Sequence, residues 1–479
     1  MRIFIRGAVA RFPEFRFTHP VDWTIGEGEN WAVVGPNGAG KSLLTDLLRG
    51  RIVLREGETG TDAPETPLYK AVRSISFRDI YSLADCREGY SQQRWNASDA
   101  EQSPTAGSLL SKFPAEKIGR YAGVLGIGDL LDKRLVTLSS GELRKFLITR
   151  TLLEEPRVLI LDNPFIGLDA ASRGVLDRTM EGLSRSGVQI VLVVSDPAEI
   201  PEWTDRVLPV RALTCLPPVS RREFLSDATL LAELFPERYG TPHLPDLPEE
   251  EERASEPYDE AIRMEAVRVR YGGRTILDGV DWTVRRGEKW ALLGDNGSGK
   301  STLLSLVCGD NPQAYANRLT LFGRRRGTGE SIWEIKRRIG YLSPDVHTYY
   351  MKDIPCLQVA ASGFFDSVGL YDKCTPRQRD LAARWLAAFG AGHLAGRSFV
   401  RISYGEQRLV LLARTLVKDP ELLILDEPLH GLDAGKKERV RRIVETFCAR
   451  PGKTLIYVTH YPGEIPACVT RCKRLEKRG

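Results

Sequence analysis

The sequence predicts an α/β fold that occurs twice, with a mainly parallel sheet in each copy. Three observations predict this fold. Predicted strands alternate with predicted helices in both halves of the 479-residue chain, which is typical of a parallel sheet with helices packed on it. The segments 31–34 and 290–293 are continuously apolar, as buried parallel strands are. A glycine-rich loop and then a helix follow each of these segments.

A long internal repeat relates the two halves. The segment VDWT occurs at 21–24 and again at 280–283, and Trp31 and Trp290 follow at the same distance in both copies. A repeat of this length indicates two domains rather than a solenoid. Between the copies, prolines cluster and an acidic run occupies 249–252, which predicts a linker with a short helix around 224–235. We therefore predict a first domain over 1–212, a linker over 213–260 and a second domain over 261–479.

Composition and charge argue against a membrane-spanning protein and bear on its partners and compartment. No apolar run reaches the roughly 18 residues of a membrane-spanning helix. A net charge of +5 is small for this length, so composition does not require a nucleic-acid partner. Eight cysteines without a C-x-x-C pair favour reduced thiols in a cytosol-like compartment. We expect a cytoplasmic protein that can associate with a membrane. The arginines in residues 1–17 leave a mitochondrial location as the alternative.

The pattern G-x-x-x-x-G-K-[ST] occurs once in each half and predicts two phosphate-binding loops. Glycines let the backbone approach a phosphate, and the N-terminus of the following helix faces the anion. Lys41 and Lys300 should contact the β- and γ-phosphates of ATP, and Ser42 and Ser301 should hold Mg²⁺. The predicted ATP-binding residues of the loops are Gly35, Pro36, Asn37, Gly38, Ala39, Gly40, Lys41 and Ser42, and Gly294, Asp295, Asn296, Gly297, Ser298, Gly299, Lys300 and Ser301.

An acidic residue ends a later apolar run in each half, but the next residue differs. A carboxylate at the end of a buried strand is costly unless it binds a metal or a donor. Asp162 and Asp426 are therefore predicted to hold Mg²⁺, directly or through water. Glu427 is the natural general base or water-positioning residue. Asn163, at the same position of the first half, cannot accept a proton, although it could still orient a water.

Further motifs carry a family resemblance. The segments 138–142 (LSSGE) and 402–406 (ISYGE) place a serine 23 residues before each aspartate, and Gly-Leu-Asp follows at 167–169 and 431–433. These motifs resemble the LSGGQ signature and the D-loop of ABC-type ATPases. The resemblance covers both halves. It is strongest to the twin ABC ATPases known as bacterial molybdate-transport ATP-binding proteins and to their fungal relatives, which have no transmembrane domain. The name does not establish a molybdate substrate.

The resemblance implies an architecture. In this family two nucleotide-binding domains, each with a sheet core and a helical subdomain, pack head to tail, and the signature of one faces the ATP held by the other. Ser139 and Gly141 would then contact the ATP held by Lys300, and Ser403 and Gly405 the ATP held by Lys41. Phe12 and Tyr271, each 29 positions before a loop lysine, match the adenine-stacking position or are ordinary core aromatics.

The family also places a histidine that senses the γ-phosphate after a late strand. His460 matches it in the second half, whereas the first half offers Ser195 or Asp196. Together with Asn163 and Glu427, this predicts asymmetric sites. The site of the first half should bind ATP and hydrolyse it slowly, and the site of the second half should carry most of the hydrolysis.

Two segments depart from the family pattern or stay ambiguous. In the second half Pro344 takes the place of the Q-loop glutamine; His347 either substitutes for it or is a surface residue. In the first half Gln92 and Gln93 lie further along the chain. The aromatic-rich segment 363–371 is a docking surface or local core.

Two functions fit the resemblance. The first is an ATPase that powers or regulates a separate membrane transport subunit. The alternative is a mechanoenzyme or regulator that acts on ribosomes or nucleic acid. The acidic, proline-containing linker favours the first function, and the basic residues near the C-terminus weakly favour the second.

Overall fold

The computed structural model describes residues 1–63, 65–76, 104–135, 138, 140–166, 168, 170–236, 244–245, 258–271, 274–295, 297–344, 350 and 352–476. They belong to two compact units, Met1–Pro236 and Glu237–Gly479, called unit 1 and unit 2 below. Each unit combines an antiparallel sheet with a mainly parallel sheet and helices, so the predicted α/β class is confirmed.

Unit 1 starts with an antiparallel sheet of order β2–β1–β4. A mainly parallel sheet follows, with β5–β6–β7–β3–β8 parallel to one another and β9 and β10 antiparallel to β8. The elements are β1 Ile3–Ala10, β2 Val21–Ile25, β3 Trp31–Val34, α1 Lys41–Leu48, β4 Leu54–Thr61, α2 Leu68–Ala71, β5 Val72–Ser76, α3 Ala106–Leu110, α4 Ala115–Leu125, α5 Ser140–Leu152, β6 Val158–Asp162, α6 Ala170–Arg185, β7 Gln189–Val194, β8 Arg206–Arg211, β9 Thr214–Cys215, β10 Val219–Ser220, α7 Arg221–Ser226 and α8 Ala228–Leu234.

Unit 2 repeats this plan. Its antiparallel sheet has the order β12–β11–β14–β15, and its parallel sheet has the order β16–β17–β18–β13–β19. The elements are β11 Glu260–Tyr271, β12 Arg274–Arg285, β13 Lys289–Leu293, α9 Lys300–Val307, β14 Arg318–Leu321, β15 Arg324–Arg325, α10 Ile332–Arg338, β16 Ile339–Leu342, α11 Cys356–Ala361, α12 Pro376–Ala388, α13 Tyr404–Leu416, β17 Leu422–Asp426, α14 Ala434–Cys448, β18 Thr454–Val458 and β19 Arg471–Arg474.

The parallel strands follow the same order in both units, and this order places the functional segments side by side. The strand that precedes the glycine-rich loop, β3 or β13, lies next to β7 or β18, and the strand that ends in aspartate, β6 or β17, comes next. Parallel strands present their carboxyl ends at one edge of the sheet, where α/β proteins bind their ligands. The strands β6, β7, β17 and β18 are buried along their whole length, as the apolar runs predict.

The same tryptophan pair anchors the antiparallel sheet of each unit to its parallel sheet. Trp23 and Trp31 meet edge to face with ring centroids 5.7 Å apart, and Trp282 and Trp290 do so at 5.8 Å. The indole N–H of Trp31 donates to the carboxylate of Glu29 at 3.0 Å, and the indole N–H of Trp290 donates to the carboxylate of Glu288 at 2.8 Å. The sequence repeat is therefore a structural repeat at the level of single contacts.

The helical part of unit 2 includes the aromatic-rich segment 363–371. Phe364 and Leu370 are half-buried and pack against the core formed by α11, α12, α13 and their neighbours. Gly363 is buried, and a Cβ there would lie 2.0 Å from the carbonyl oxygen of Arg414. Tyr371 is 72% exposed. The segment is mostly half-buried against this core, and Val368 and Tyr371 are exposed, so a docking role for these two residues stays a prediction.

Part of the predicted linker is folded. β9 and β10 pair with β8, and the predicted helix around 224–235 is present as α7 and α8, which break at Asp227. Phe224 and Phe235 are buried. The boundaries of 1–212, 213–260 and 261–479 stay a prediction. Within the described part of the chain, no helix combines the length and apolar composition needed to cross a bilayer.

Candidate functional site

The described residues of both glycine-rich loops have features that a phosphate-binding loop requires. Each loop connects a parallel strand, fully buried in β3 and partly buried in β13, to a helix that begins at the loop lysine, so that the first helical N–H groups point into the loop. Gly40 has a φ of 106° and Gly299 a φ of 92°, a left-handed conformation that glycine adopts without strain. A Cβ on Gly35 would lie 2.0 Å from the carbonyl oxygen of Val210, so this position needs glycine for space as well.

Both loop lysines fold back over their own loops. The Lys41 ammonium donates to the carbonyl oxygens of Gly35 at 2.7 Å and Pro36 at 2.9 Å. Lys300 makes the two equivalent bonds in unit 2, at 2.6 and 3.0 Å. Both ammonium groups thus lie at the mouth of a loop of backbone amides, which is where a phosphate would find its positive charge.

Unit 1 brings its predicted magnesium ligands together. The Ser42 hydroxyl donates to Asp162 at 3.4 Å, and the Asn163 amide donates to the other oxygen of Asp162 at 2.5 Å. Hydroxyl and carboxylate oxygens are the ligands that Mg²⁺ prefers, so the residues fit the ion. In unit 2 Asp426 is buried at the end of β17, and Ser301 lies in the first turn of α9, next to the loop lysine.

Glu427 and Asn163 leave the sheet with the same backbone geometry. Their φ angles are 50° and 53°, both left-handed. The N–H of Glu427 donates to Val458 at 3.0 Å, and that of Asn163 donates to Val193 at 2.8 Å. The two side chains therefore begin at equivalent points, and what differs is a carboxylate in one unit and an amide in the other.

The surroundings of Glu427 make its carboxylate a stronger base than an ordinary carboxylate. Burial, together with the nearby carboxylates of Asp426 and Glu464, raises the pKa of Glu427 to about 8 against the opposing charges of Lys300 and Arg408. His460 places Nε2 3.5 Å from Oε1 of Glu427. A carboxylate with a raised pKa holds an abstracted proton more tightly, as a general base must.

Strand register identifies the counterpart of His460 in unit 1. Asp162 pairs with Val193, and Asp426 pairs with Val458, so Ser195 occupies the position of His460. The Ser195 hydroxyl donates to the side chain of Asn37 in the phosphate loop at 2.9 Å. Asp196, the other candidate, accepts from the N–H of Ala198 and caps a short 3₁₀ helix.

The signature of unit 2 forms the beginning of a helix. Ser403 caps α13 through a capping box with Glu406, and Gly405 is buried in the first turn. In unit 1 Gly141 lies in the first turn of α5. The other predicted site residues Ser139 and Asn296, and also Gly167, Asp169, Gln92, Gln93 and His347, lie outside the described residues.

The two predicted adenine-stacking residues are exposed. Phe12 is 47% exposed and Tyr271 39% exposed, so neither is a core aromatic. The Tyr271 hydroxyl accepts a hydrogen bond from Asn311 at 2.8 Å, which fixes the outer end of its ring. Their contact with adenine stays a prediction.

The sequence did not predict the hydrogen bonds by which α13 holds the turn that carries Glu427. Arg408, on α13, is fully buried and donates to the carbonyl oxygens of Asp426 at 2.8 Å, Glu427 and Pro428 at 3.3 Å. The hydroxyl of Tyr404 and Nδ1 of His430 are 3.0 Å apart. The available signal was the contrast between halves, since the first half has Ser140 and Ile166 at the positions of Tyr404 and His430.

Comparison with known families identifies the class of protein. The family model described as ABC transporter matches residues 18–166 and 277–430. The chain belongs to the ABC transporter ATP-binding family. It is an ATP hydrolase, as members of this family are.

Two relatives match the ABC protein over nearly its whole length. It is 38% identical to the ABC transporter ATP-binding protein ModF of Escherichia coli, over 95% of this chain and 92% of the relative. It is 29% identical to an uncharacterized ABC transporter ATP-binding protein of Schizosaccharomyces pombe, over 96% and 94%. The resemblance to bacterial and fungal twin ABC ATPases is confirmed.

Solved structures show the same tandem fold. The archaeal ribosome recycling factor aABCE1, solved in complex with the ribosomal stalk protein aP1, covers 98% of this chain and 87% of its own with a TM-score of 0.63 and 19% identity. An RNase-L inhibitor matches with a TM-score of 0.59, also at 19% identity, over 94% of this chain and 83% of its own. At this identity the likeness shows the fold alone.

Proposed function

We propose that this ABC protein is an asymmetric ATPase in which the site built on unit 2 carries most of the hydrolysis and the site built on unit 1 mainly binds ATP. The equivalent turns of Glu427 and Asn163 carry this proposal. In unit 2 the Glu427 carboxylate takes a proton from the water that attacks the γ-phosphate, and His460 contacts the same phosphate. In unit 1 an amide and the Ser195 hydroxyl take these places, and neither can act as the base.

The other predicted site residues have roles in both the hydrolytic site and the binding site of this proposal. Each phosphate loop binds the β- and γ-phosphates through its backbone amides and its lysine. The Mg²⁺ that accompanies ATP would be held by Ser42 and Asp162 in one site and by Ser301 and Asp426 in the other, and it would neutralise charge on the phosphates. The family arrangement adds Ser139 and Gly141 to the hydrolytic site and Ser403 and Gly405 to the other.

A mirrored pair of signature variants tests the asymmetry. Ser139→Ala should lower the steady-state ATPase rate more strongly than Ser403→Ala, because the first serine serves the ATP beside Glu427 and the second serves the slow site. The measurement is phosphate release at saturating ATP for both variants and the wild type. Equal losses in the two variants would contradict a single main hydrolytic site.

We further propose that ATP hydrolysis is coupled to a separate membrane transport subunit. The names of the relatives, which are ABC transporter ATP-binding proteins, support this role. They give the mitochondrial alternative no support, and we propose a cytoplasmic protein that associates with a membrane through its partner.

One observation favours the ribosome or nucleic-acid alternative. The exposed face of the antiparallel sheet in unit 2 carries a shallow cavity of about 250 Å³ lined by Arg263, Arg318, Arg325, Thr320 and Glu265. Three guanidinium groups against one carboxylate suit an anionic partner such as a nucleic-acid backbone.

Fractionation and salt dependence decide between the two roles. Recovery of the tagged protein with membranes, together with no RNA binding that weakens as salt rises, would support the transport role. Sedimentation with polysomes, or RNA binding that falls steeply between low and physiological salt, would replace it with the alternative.

A further inference from the structure

Tyr404 and His430 form a polar contact between the signature helix and the turn that follows β17. Tyr404 is the first residue of α13, between the capping Ser403 and the buried Gly405. Its hydroxyl lies 3.0 Å from Nδ1 of His430, and the two rings meet edge to face at a centroid distance of 5.7 Å and an angle of 88°. Both side chains are partly buried, so solvent competes only weakly for this hydrogen bond.

Glu427 is the first residue of the turn after β17, and His430 is the last residue bonded across it. The N–H of His430 donates to the carbonyl oxygen of Glu427 at 3.2 Å, and the N–H of Glu427 is held by Val458 at 3.0 Å. Glu427 has a left-handed backbone, which is strained for a residue with a side chain. Such a conformation persists only where neighbouring contacts hold it, and the direction of the Glu427 carboxylate follows from it.

We propose that Tyr404 and His430 are positioning residues for ATP hydrolysis at the site of unit 2. Their hydrogen bond fixes the far end of the turn that aims Glu427, and it ties that turn to the first residues of the signature helix. Arg408 holds the same turn by its backbone carbonyls, whereas the Tyr404–His430 pair joins a side chain of each segment. This inference rests on the proposed role of Glu427 as the base.

Unit 1 provides the natural contrast. The position of His430 is Ile166 there, and an isoleucine side chain has no hydrogen-bonding group. Ile166 still closes its turn by donating its N–H to Asn163 at 3.3 Å. The turn is therefore preserved in both units, but a side-chain hydrogen bond at this position is possible only where the turn carries a general base.

A double-mutant cycle on the full-length protein tests the proposal. Tyr404→Phe keeps the ring and removes the hydroxyl, and His430→Leu removes the imidazole that shares the hydrogen bond. Each should lower kcat about 5- to 10-fold, the effect of losing roughly one hydrogen bond from the catalytic geometry, with KM for ATP little changed. The double variant should be no slower than the slower single variant, because both remove the same bond.

Two further variants separate positioning from general structure. Tyr371→Phe removes a hydroxyl from an exposed tyrosine of the same unit and should leave kcat at the wild-type value. His430→Gln restores a side-chain group that can donate or accept a hydrogen bond, and it should recover most of the rate lost in His430→Leu. If Tyr404→Phe does not fold, the His430→Leu and His430→Gln comparison carries the test alone.

The outcomes that overturn the inference differ from those that overturn the function. Losses that multiply in the double variant, a change confined to KM, or a wild-type kcat in Tyr404→Phe would each refute the positioning role. If Glu427→Gln is inactive in the same assay, the proposed function survives that refutation. If Glu427→Gln keeps wild-type turnover, the proposed function itself fails.

Discussion

The turns after β6 and β17 share a backbone and differ in what their side chains can do. Both open with a left-handed residue whose N–H is bonded to the neighbouring strand, and both close with an N–H donated back across the turn. Unit 1 places Asn163 and Ile166 on this frame, and unit 2 places Glu427 and His430 there. A duplicated scaffold can therefore replace a carboxylate by an amide at this turn without rebuilding its sheet, as the proposed asymmetric ATPase requires.

The largest effect should come from removing the base. Glu427→Gln should lower ATP turnover about 100- to 1,000-fold while leaving ATP binding intact, because only the proton acceptor is lost. Steady-state phosphate release and equilibrium binding of a fluorescent ATP analogue measure the two properties. Asn163→Gln is the matched control in unit 1, and a comparable loss of turnover there would remove the distinction between the units.

The second-largest difference in ATP turnover should appear between variants of the two loop lysines. Lys300→Ala should reduce turnover about 100-fold, since the lysine stabilises charge at the hydrolytic site. Lys41→Ala should reduce it only about tenfold, through weaker coupling from the site of unit 1 rather than through the chemical step. Rapid-quench measurement of a single turnover distinguishes the two cases. Identical single-turnover rates in both variants would show that both sites hydrolyse.

The amounts of stability contributed by matching contacts should be equal in the two units. Trp31→Phe and Trp290→Phe each remove an indole hydrogen bond to a glutamate, which should cost about 1.5 to 2 kcal/mol in either unit. Thermal unfolding followed by calorimetry measures both variants. A clear difference between them would mean that the structural repeat does not extend to its energetics.

The smallest expected effect is a gain. In a Lys300→Ala background, Asn163→Glu combined with Ser195→His should raise the residual ATPase rate several-fold, because base and phosphate contact are restored together at the site of unit 1. The control is Asn163→Gln with Ser195→His, which lacks a proton acceptor. No gain over this control would indicate that unit 1 has lost more than these two groups.

Local patterns explain what the sequence could predict. A glycine-rich loop between an apolar strand and a helix is written in consecutive residues, so the loops and their lysines were recognisable in the chain. The aspartates were recognisable for the same reason, since each ends an apolar run. The folded segment after β8 also carried a local sign, because Ser220 and Glu223 have the spacing of the capping box that starts α7.

Contacts between distant segments explain what the sequence left open. The choice between Ser195 and Asp196 depends on which residues of β6 and β7 face each other, and strand register is not a local property. Tyr404 and His430 lie 26 residues apart and meet only because the first residue of α13 lies against the turn after β17. Glu464, which raises the pKa of Glu427, is brought close by the chain after β18 rather than by any motif.

The left-handed turn has a consequence for the evolution of this protein. Among residues with a side chain, asparagine tolerates that conformation best, whereas glutamate has no such preference. In unit 2 the left-handed backbone at Glu427 is therefore strained, whereas in unit 1 Asn163 adopts the same conformation with less strain. Once one site was sufficient for turnover, drift toward asparagine at the other would have improved folding at no cost to the rate. In the asymmetric ATPase proposed above, a weakened site in unit 1 is then an expected product of duplication, since substitutions that keep the fold above its stability threshold are tolerated there.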